Sequence, residues 1–466
     1  MHESRLTAVV DECDGGPVKD QLKLTIRPSR KAIARVGGGL HLLVRAEPPA
    51  QPVQPNRRPV ALALVIDRSG SMASPAAASI TPDQQGAGGD DTGQPSKLGF
   101  VRAATLRLID LMHDGDAVAL VVFDDTVQVV KPLTVLGAEA RTDLAAAIKG
   151  LETGGSTNIE GGLKSGLVQF SKSVRERFGC KLVLLSDGEA NVGEQRPAVL
   201  GERAAGAAHN GVTLSTLGFG FDYNIALLSH LAEAGNGDFT HIESLKSLDA
   251  VLREEFTAAA DVTARGVEVA IDIPEAIAAG TNLNDYRQEI CDVGFKVFLG
   301  DLVRAKEFIF EITTPVALVG DELSLSARAK YRDELDSEVE VITVTKVAIC
   351  SPDQVKQHRL DEQIVARVLE QLPALAEMET VVAFEAGDFD AASRSVSSAR
   401  AAYERAEQLY IETGEMPELG EGEAKLDELD ARTKGKTFSA SDLKRRYGKS
   451  RRASRSRPTD PDGPVK

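Results

Sequence analysis

Tryptophan is absent from this 466-residue chain, and aromatic residues make up only 5% of it. A binding surface built on aromatic rings, such as a lectin-like site or an aromatic cage, is therefore a poor explanation of its function. The four cysteines, Cys13, Cys180, Cys291 and Cys350, lie far apart and form no CxxC pair. This spacing argues against a disulfide framework or a zinc site and is typical of reduced thiols.

Long apolar runs are also missing. No stretch reaches the roughly 18 apolar residues of a membrane span, and residues 1–16 lack the apolar core of a signal peptide. These absences predict a soluble, cytoplasmic protein. The net charge of −16 argues against a protein that coats nucleic acid as a whole. Residues 431–466 are the exception, since they carry 12 Lys and Arg against 3 Asp.

Apolar strands alternate with helices from Val60 onward. Val60–Ile66 and Lys181–Leu185 are nearly continuous apolar runs, which are typical of strands buried on both faces of a parallel sheet. Between them, Lys97–His113 has the apolar spacing of a helix. Such alternation implies right-handed crossovers. We therefore expect residues 59–260 to form an α/β domain with a doubly wound, mostly parallel sheet.

A different pattern flanks this domain on both sides. Gly266–Ile273 alternates strictly, and four similar segments follow without intervening helices, which predicts a small β-sandwich over residues 262–350. Two strands expected within residues 21–50 have no core of their own. We therefore expect them to complete the same β domain, with residues 1–20 as a flexible leader.

The C-terminal part is helical and then polar. Residues 353–412 predict a helical hairpin with two apolar faces, interrupted at Pro373. The apolar stripe of Ile364–Leu372 is expected to form the hairpin core, with a groove for a partner helix as the alternative. Residues 413–466 are predicted to be a disordered basic tail, which either solvates the protein or binds an acidic partner, nucleic acid or a membrane surface.

Oxygen-bearing side chains follow the two apolar strands. Asp67, Ser69 and Ser71 come directly after the first strand, at the carboxyl end where open α/β sheets bind ligands. Asp187 follows the second strand, and Thr157 lies in a glycine-rich loop before a helix. If the two strands are neighbours, these five residues converge at one edge of the sheet.

Five such groups with only two formal negative charges suit a hard divalent cation. Mg²⁺ prefers oxygen ligands in near-octahedral geometry and keeps several waters, so it is the expected ion, with Mn²⁺ or Ca²⁺ as alternatives. A cation held mainly by hydroxyls and waters keeps much of its positive charge. Its open coordination position should attract an external carboxylate, so the chemistry points to recognition and not to an enzyme.

The five residues resemble the metal-ion-dependent adhesion site of the von Willebrand factor A domain family, whose pattern is DxSxS, a distal Thr and a distal Asp. The segments KLGFVRAA, GGSTNIEGGL, LLSDGEANVG and LAEAGNGDFTHIES are similar to that family as well. The resemblance implies that Ser69, Ser71 and Thr157 contact the metal, that Asp67 and Asp187 act mostly through water, and that a partner's Asp or Glu completes the coordination.

The flanking strands are similar, less specifically, to bacterial members related to inter-alpha-trypsin inhibitor heavy chains. The resemblance thus implies a bacterial, metal-dependent protein-binding module. In some bacterial relatives the partner is an AAA+ ATPase, a kinase or a phosphatase, and the same classes are expected here.

The chain departs from the family pattern at Ala73–Ser96, a polar insert where relatives have only a few residues. Asp83, Asp90 and Asp91 could reach the open position of the metal. One hypothesis is that the insert gates the site, and the alternative is a loop without a role. Two other functions also stay open: a metal-dependent hydrolase or phosphatase that uses Asp67, and a scaffold in which the metal only stabilises the loops.

Overall fold

The structure is a computed structural model. It describes residues 8–10, 21–49, 58–75, 96–242, 245–274, 277–291, 294–314, 322–333, 337–411 and 420–455. The chain divides into a central unit, Gln51–Val262, and a flanking unit made of Met1–Ala50 and Thr263–Lys466.

Strands and helices follow one another along the described residues. The strands are β1 (Ala8–Val10), β2 (Lys23–Pro28), β3 (Ala32–Ala34), β4 (Gly38–Glu47), β5 (Val60–Asp67), β6 (Ala117–Phe123), β7 (Val127–Val135), β8 (Gly179–Ser186), β9 (Val212–Phe219), β10 (Asn236–Ile242), β11 (Ala264–Asp272), β12 (Ala278–Asn282), β13 (Gln288–Cys291), β14 (Gly294–Leu302), β15 (Lys306–Thr314), β16 (Glu322–Arg332) and β17 (Glu338–Cys350). The helices are α1 (Lys97–Leu111), α2 (Ala138–Lys149), α3 (Ile159–Val168), α4 (Lys172–Arg177), α5 (Pro197–His209), α6 (Ile225–Ala234), α7 (Leu245–Ala260), α8 (Pro352–Val355), α9 (Glu362–Glu385), α10 (Phe389–Ile411), α11 (Gly420–Gly435) and α12 (Ala440–Arg455).

The central unit is the mixed α/β domain that the alternating pattern predicts. Its sheet has the order β10-β9-β8-β5-β6-β7. All neighbours are parallel except β6 and β7. Every residue of β5, β6 and β9 is buried, which explains their apolar composition. Because β5 and β8 are adjacent, the loops that follow them lie side by side at the carboxyl edge of the sheet.

Small residues let helix α3 approach this sheet closely. A Cβ atom at Gly166 would lie 2.5 Å from Val65 Cγ2, and one at Gly162 would lie 2.6 Å from Phe123 Cδ1. Asn158 caps the start of the helix, since its side-chain oxygen accepts a hydrogen bond from Gly161 N. This docking fixes the position of the loop that precedes α3.

The two ends of the central unit lie close together. Gly179 N donates a hydrogen bond to Pro59 O at 2.9 Å. A Cβ atom at the same glycine would lie 2.8 Å from Ala259 O. The chain therefore enters and leaves this unit at neighbouring points beside the start of β8.

The flanking unit takes strands from both ends of the chain. One sheet has the order β1-β17-β16-β11-β14-β13, with β3 also paired to β17, and the other has the order β12-β15-β4-β2. The pairing of β4 with β15 sets Arg45 opposite Glu307. Buried side chains of both sheets, including Val44, Val269 and Phe310, belong to one hydrophobic cluster.

Part of the expected leader belongs to this unit as strand β1. Ala8 lies opposite Val341 of β17 in a parallel pairing. The prediction of a flexible leader over residues 1–20 is therefore wrong for Ala8–Val10, because these three residues extend an existing sheet edge. Residues 1–7 and 11–20 lie outside the described residues.

Helices α9 and α10 pack against each other around apolar side chains such as Leu369 and Val396. Pro373 lies inside α9 and does not end it as expected. Its ring is buried, so packing offsets the lost backbone hydrogen bond. None of the helices that the structure describes combines the length and hydrophobicity of a transmembrane span.

The prediction of a disordered tail is wrong for residues 420–455, which form α11 and α12. Leu443 and Tyr447 of α12 are buried, and Lys444 is ion-paired with Glu385 of α9. Few apolar residues are needed here because the cations of α12 meet acidic groups on the rest of the unit. Arg451 Nε, for example, lies 3.2 Å from Asp285 Oδ2. Residues 412–419 and 456–466 lie outside the described residues.

Candidate metal site

Asp67 lies at the carboxyl end of β5 and is fully buried. One carboxylate oxygen accepts a hydrogen bond from Ser69 N at 2.8 Å, and the other accepts one from Ser186 Oγ at 2.6 Å. Ser186 is the last residue of the adjacent strand β8. The pairing of the two strands therefore fixes the orientation of this carboxylate.

Ser69, Ser71 and Asp187 form a continuous chain of hydrogen bonds next to Asp67. The two serine hydroxyls lie 3.1 Å apart. Ser71 Oγ donates to Asp187 Oδ1 at 2.7 Å. Ser69 and Asp187 are buried, whereas Ser71 is partly exposed. The group thus reaches the surface on the side of Ser71.

Thr157 reaches the same place from the loop before α3. A Cβ atom built at Gly188 would lie 3.3 Å from Thr157 Oγ1 and 3.7 Å from Ser71 Oγ. The two hydroxyls therefore face a common point beside Gly188, where a Cβ atom would approach Thr157 tightly and Ser71 at ordinary contact distance. The structure brings all five residues singled out from the sequence to this one edge of the sheet.

Asp124, at the end of β6, holds the loop of Thr157 in place and was not singled out from the sequence. Its Oδ2 atom lies 3.0 Å from Arg68 Nε. A Cβ atom at Gly154 would lie only 1.9 Å from the same oxygen. Burial raises the pKa of Asp124, but hydrogen bonds from Thr126 and the charge of Arg68 outweigh it and hold that pKa below its usual range. An ionised Asp124 therefore joins the two loops.

Asn191 supports Thr157 from the opposite side. Its side-chain oxygen accepts a hydrogen bond from Thr157 N at 2.8 Å, and its backbone N–H donates to Thr157 O at 3.1 Å. The threonine backbone is thus bonded in both directions. Asn191 stands four residues after Asp187 in the quoted LLSDGEANVG segment, but nothing in the spacing indicates which residue it contacts.

Lys97 is a further residue of the candidate site that the sequence analysis did not single out. Its Nζ atom donates to Asp187 Oδ2 at 2.6 Å, and the two side chains are only 8% and 0% exposed. It is the first residue of α1, where the pattern indicated only the beginning of a helix. Its role depends on the order of strands, which the pattern does not contain.

Burial raises the pKa of the Asp67 carboxyl to about 6, although hydrogen bonds from Ser186 and Ser69 act in the opposite direction. The negative charge of Asp187 raises it further. A cation placed among these oxygens would favour the ionised form of the carboxyl. The site is therefore electrostatically suited to a positive ligand.

The donor set fits a hard divalent cation. It offers the hydroxyls of Ser69, Ser71 and Thr157 and the carboxylates of Asp67 and Asp187, which are ligand types that Mg²⁺ and Ca²⁺ prefer. Within the described ranges, no group of three or more His, Cys, Asp or Glu side chains is arranged to hold a metal ion. The candidate site has only two acidic side chains, so its ability to bind a metal ion depends on its hydroxyl groups.

The ends of the polar insert meet beside this site. Pro75 and Ser96 form an isolated β-bridge, and Lys97 N donates to Ser74 O at 3.1 Å. Residues 76–95, including Asp83, Asp90 and Asp91, lie outside the described residues. The hypothesis that the insert gates the metal therefore stays a prediction.

Comparison with known proteins identifies the segment that contains all five residues. Residues 62–189 match the family model described as von Willebrand factor type A domain. The chain is 27% identical to the uncharacterized protein YfbK of Escherichia coli, over 49% of this chain and 35% of that protein. It is 29% identical to human inter-alpha-trypsin inhibitor heavy chain H3, over 55% of this chain and 26% of that protein.

A third relative is the uncharacterized protein sll0103 of Synechocystis, 26% identical over 62% of this chain and 65% of that protein. The chain thus spans from about a quarter to just under two thirds of the length of these relatives.

Two solved structures share the fold over most of the chain. They are a von Willebrand factor type A protein from Catenulispora acidiphila, with a TM-score of 0.61, and the ArnB paralog VWA2 from Sulfolobus acidocaldarius, with a TM-score of 0.56. Their sequence identities are 18% and 17%, and they cover 89% and 93% of this chain. Our chain covers 96% and 98% of theirs.

Proposed function

Because residues 62–189 of this chain are a von Willebrand factor type A domain, we propose that the protein is a divalent-metal-dependent module that binds a protein partner through the partner's Asp or Glu. Members of this family often mediate metal-dependent protein interactions. Ser69, Ser71 and Thr157 would hold the metal directly, and Asp67 and Asp187 would hold it mostly through water. The bound cation would supply a positive charge that the partner's carboxylate recognises.

The observation that carries the proposal is the convergence of three hydroxyl groups and two carboxylates at the end of β5. In the hydrogen-bonded chain from Ser69 through Ser71 to Asp187, the two end residues are buried and Ser71 is partly exposed, so among these three residues the chain reaches the surface at Ser71. A cation in contact with these oxygens would therefore have one side open to a ligand from outside. Recognition of an acidic side chain follows from that arrangement.

The same contacts argue against the hydrolase alternative. Asp67 is fully buried, and both of its oxygens already accept hydrogen bonds, from Ser69 N and Ser186 Oγ. A carboxylate in this state is poorly placed to attack a phosphoester. It is well placed to orient the serine loop, which is a binding role.

The metal is tested with Thr157→Val and its control Thr153→Val, two changes of the same kind in one loop. Thr157 is 3% exposed and faces the hydroxyl cluster, whereas Thr153 is exposed. We expect Thr157→Val to weaken Mg²⁺ binding by about tenfold or more, since it removes a ligand oxygen. Thr153→Val should bind like the natural chain. Equal Mg²⁺ affinities in calorimetry would contradict the proposed ligand set.

The carboxylate is tested with Mn²⁺ as a paramagnetic probe. A short peptide with one Asp should displace water from bound Mn²⁺ and lower the water proton relaxation rate, and the same peptide with Asn should not. An Asp peptide without effect on bound Mn²⁺ would favour the scaffold alternative. In that case metal would raise thermal stability and nothing more.

A further inference from the structure

The ammonium group of Lys97 is buried next to Asp187 of the candidate metal site. It donates to Asp187 Oδ2, while the other oxygen of Asp187 accepts from Ser71. A Cβ atom at Gly220, directly after β9, would lie 3.1 Å from Lys97 Nζ. The single carboxylate of Asp187 is therefore shared between a buried cation and the hydroxyl cluster.

This pair changes the charge of the site. Asp67 and Asp187 carry two negative charges, and Lys97 compensates one of them. A buried ion pair is costly to desolvate, so it contributes little stability compared with a well-packed apolar replacement. Its position against a proposed metal ligand suggests a role beyond stability.

We propose that Lys97 is a positioning residue that holds Asp187 and keeps the affinity of the site for a divalent cation low. Two positive groups that share one carboxylate repel each other, and the repulsion is strong where water is excluded. This inference rests on the proposed function, because it assigns Lys97 a role toward the metal. It implies that removal of the ammonium group makes the metal bind more tightly.

The natural chain contains a matched control. Lys181 of β8 pairs with Glu255 of α7 at 2.5 Å, and both side chains are 8% exposed. This pair resembles the pair of Lys97 with Asp187 in length and burial. None of the five candidate metal ligands takes part in it. Lys181→Met therefore reports the effect of breaking a buried ion pair to which no candidate metal ligand belongs.

The test compares Lys97→Met, Lys97→Gln and Lys181→Met in the full chain at pH 8. Calorimetry measures the Mg²⁺ affinity, and thermal unfolding is recorded with and without Mg²⁺. We expect both Lys97 variants to bind Mg²⁺ about tenfold more tightly than the natural chain, a change equivalent to about 1.4 kcal/mol. Mg²⁺ should also raise their melting temperatures more than that of the natural chain. Lys181→Met should lose stability without a change in Mg²⁺ affinity.

Unchanged or weaker Mg²⁺ binding in Lys97→Gln, which keeps a hydrogen-bond donor without the charge, would overturn the inference. The Mg²⁺ affinity of Lys97→Gln also tests the inference if Lys97→Met does not fold. Binding by the Lys97 variants but not by the natural chain would support the inference and contradict the proposed function. If none of these chains binds Mg²⁺, both the inference and the proposed function are overturned. If the natural chain and all variants bind Mg²⁺ with equal affinity, only the inference is overturned.

Discussion

At the scale of single residues, Asp67 and His41 respond to pH in opposite ways. Burial raises the pKa of Asp67 to about 6 from its ordinary value of 3.8. Burial, with the charge of Arg405, lowers the pKa of His41 to about 4 from 6.5. The first residue is in the central unit and the second is in the flanking unit, so the two dependences can be measured on separate variants.

The raised pKa of Asp67 predicts that the metal-free protein loses stability as pH rises. Between about pH 4 and 6 the folded state holds more protons than the unfolded state, so the free energy of unfolding should fall by up to about 3 kcal/mol across this range. Asp67→Asn should lack this loss. Denaturant unfolding at several pH values, with EDTA present, compares the two chains, and parallel profiles would contradict the prediction.

The lowered pKa of His41 predicts that the stability of the flanking unit changes with pH in the opposite direction. Here the unfolded state binds more protons between about pH 4 and 6.5, so stability should fall by up to about 3 kcal/mol as the pH is lowered through that range. His41→Gln cannot gain the proton and should flatten the profile. The same unfolding series measures it, and an acid loss that persists in His41→Gln would assign the effect to another group.

Much of the candidate site could be predicted from single residues because the DxSxS loop, Thr157 and Asp187 each stand next to a recognisable strand or helix. Asp124 and Lys97 could not be predicted in this way. Both stand at ordinary element ends, because Asp124 directly follows a strand and Lys97 is the first residue of a helix. Only the order of strands in the sheet brings them to the candidate metal ligands.

At the scale of secondary structure elements, close packing of α3 on the sheet is the feature most open to test. Gly166→Ala would place a Cβ atom 2.5 Å from Val65 Cγ2, whereas a Cβ atom at Gly206 of α5 has nothing within 4 Å. We expect Gly166→Ala to destabilise the protein by about 1–3 kcal/mol through overpacking. Gly206→Ala should stabilise it by about 0.5–1 kcal/mol.

Equilibrium unfolding of both glycine variants checks the sign of each change. A destabilisation of similar size at both positions would mean that helix propensity and close approach do not explain either glycine. Because α3 carries the loop of Thr157 at its start, Gly166→Ala should also weaken Mg²⁺ binding. Gly206→Ala should leave Mg²⁺ binding unchanged.

Elements were predictable where apolar residues are dense. The runs at β5 and β8 identify buried strands, and the alternation after Ala260 identifies strands of the flanking unit. Helices α11 and α12 were missed because their few apolar residues, such as Leu429 and Tyr447, are spread among many charges. Composition alone therefore favoured disorder, although the charges are complementary to those of α9.

At the scale of the whole molecule, α12 should be a structural part of the flanking unit. A chain that ends at Ser439 loses the buried Leu443 and Tyr447 and the ion pairs of α12. It should be less stable by about 3 kcal/mol or more. A chain that ends at Arg455 is the control and should unfold like the full protein.

Mg²⁺ affinity should be the same in both shortened chains, because every candidate ligand lies in the central unit and the contacts described for α12 are within the flanking unit. Thermal unfolding and calorimetry on the two chains measure both quantities. Equal stability of the two shortened chains would restore the idea of a tail without structure.

The pairing of β4 with β15 has a consequence for synthesis on the ribosome. Arg45 and Glu307 are 262 residues apart in the sequence. At roughly 5–20 residues per second, strand β4 waits on the order of ten seconds or more for its partner. The intervening domain is synthesised meanwhile, and the close approach of Gly179 to Pro59 and Ala259 holds the two ends of that domain near each other. Until β15 is made, the apolar side chains of β4 lack the strand beside which they are buried in the folded unit.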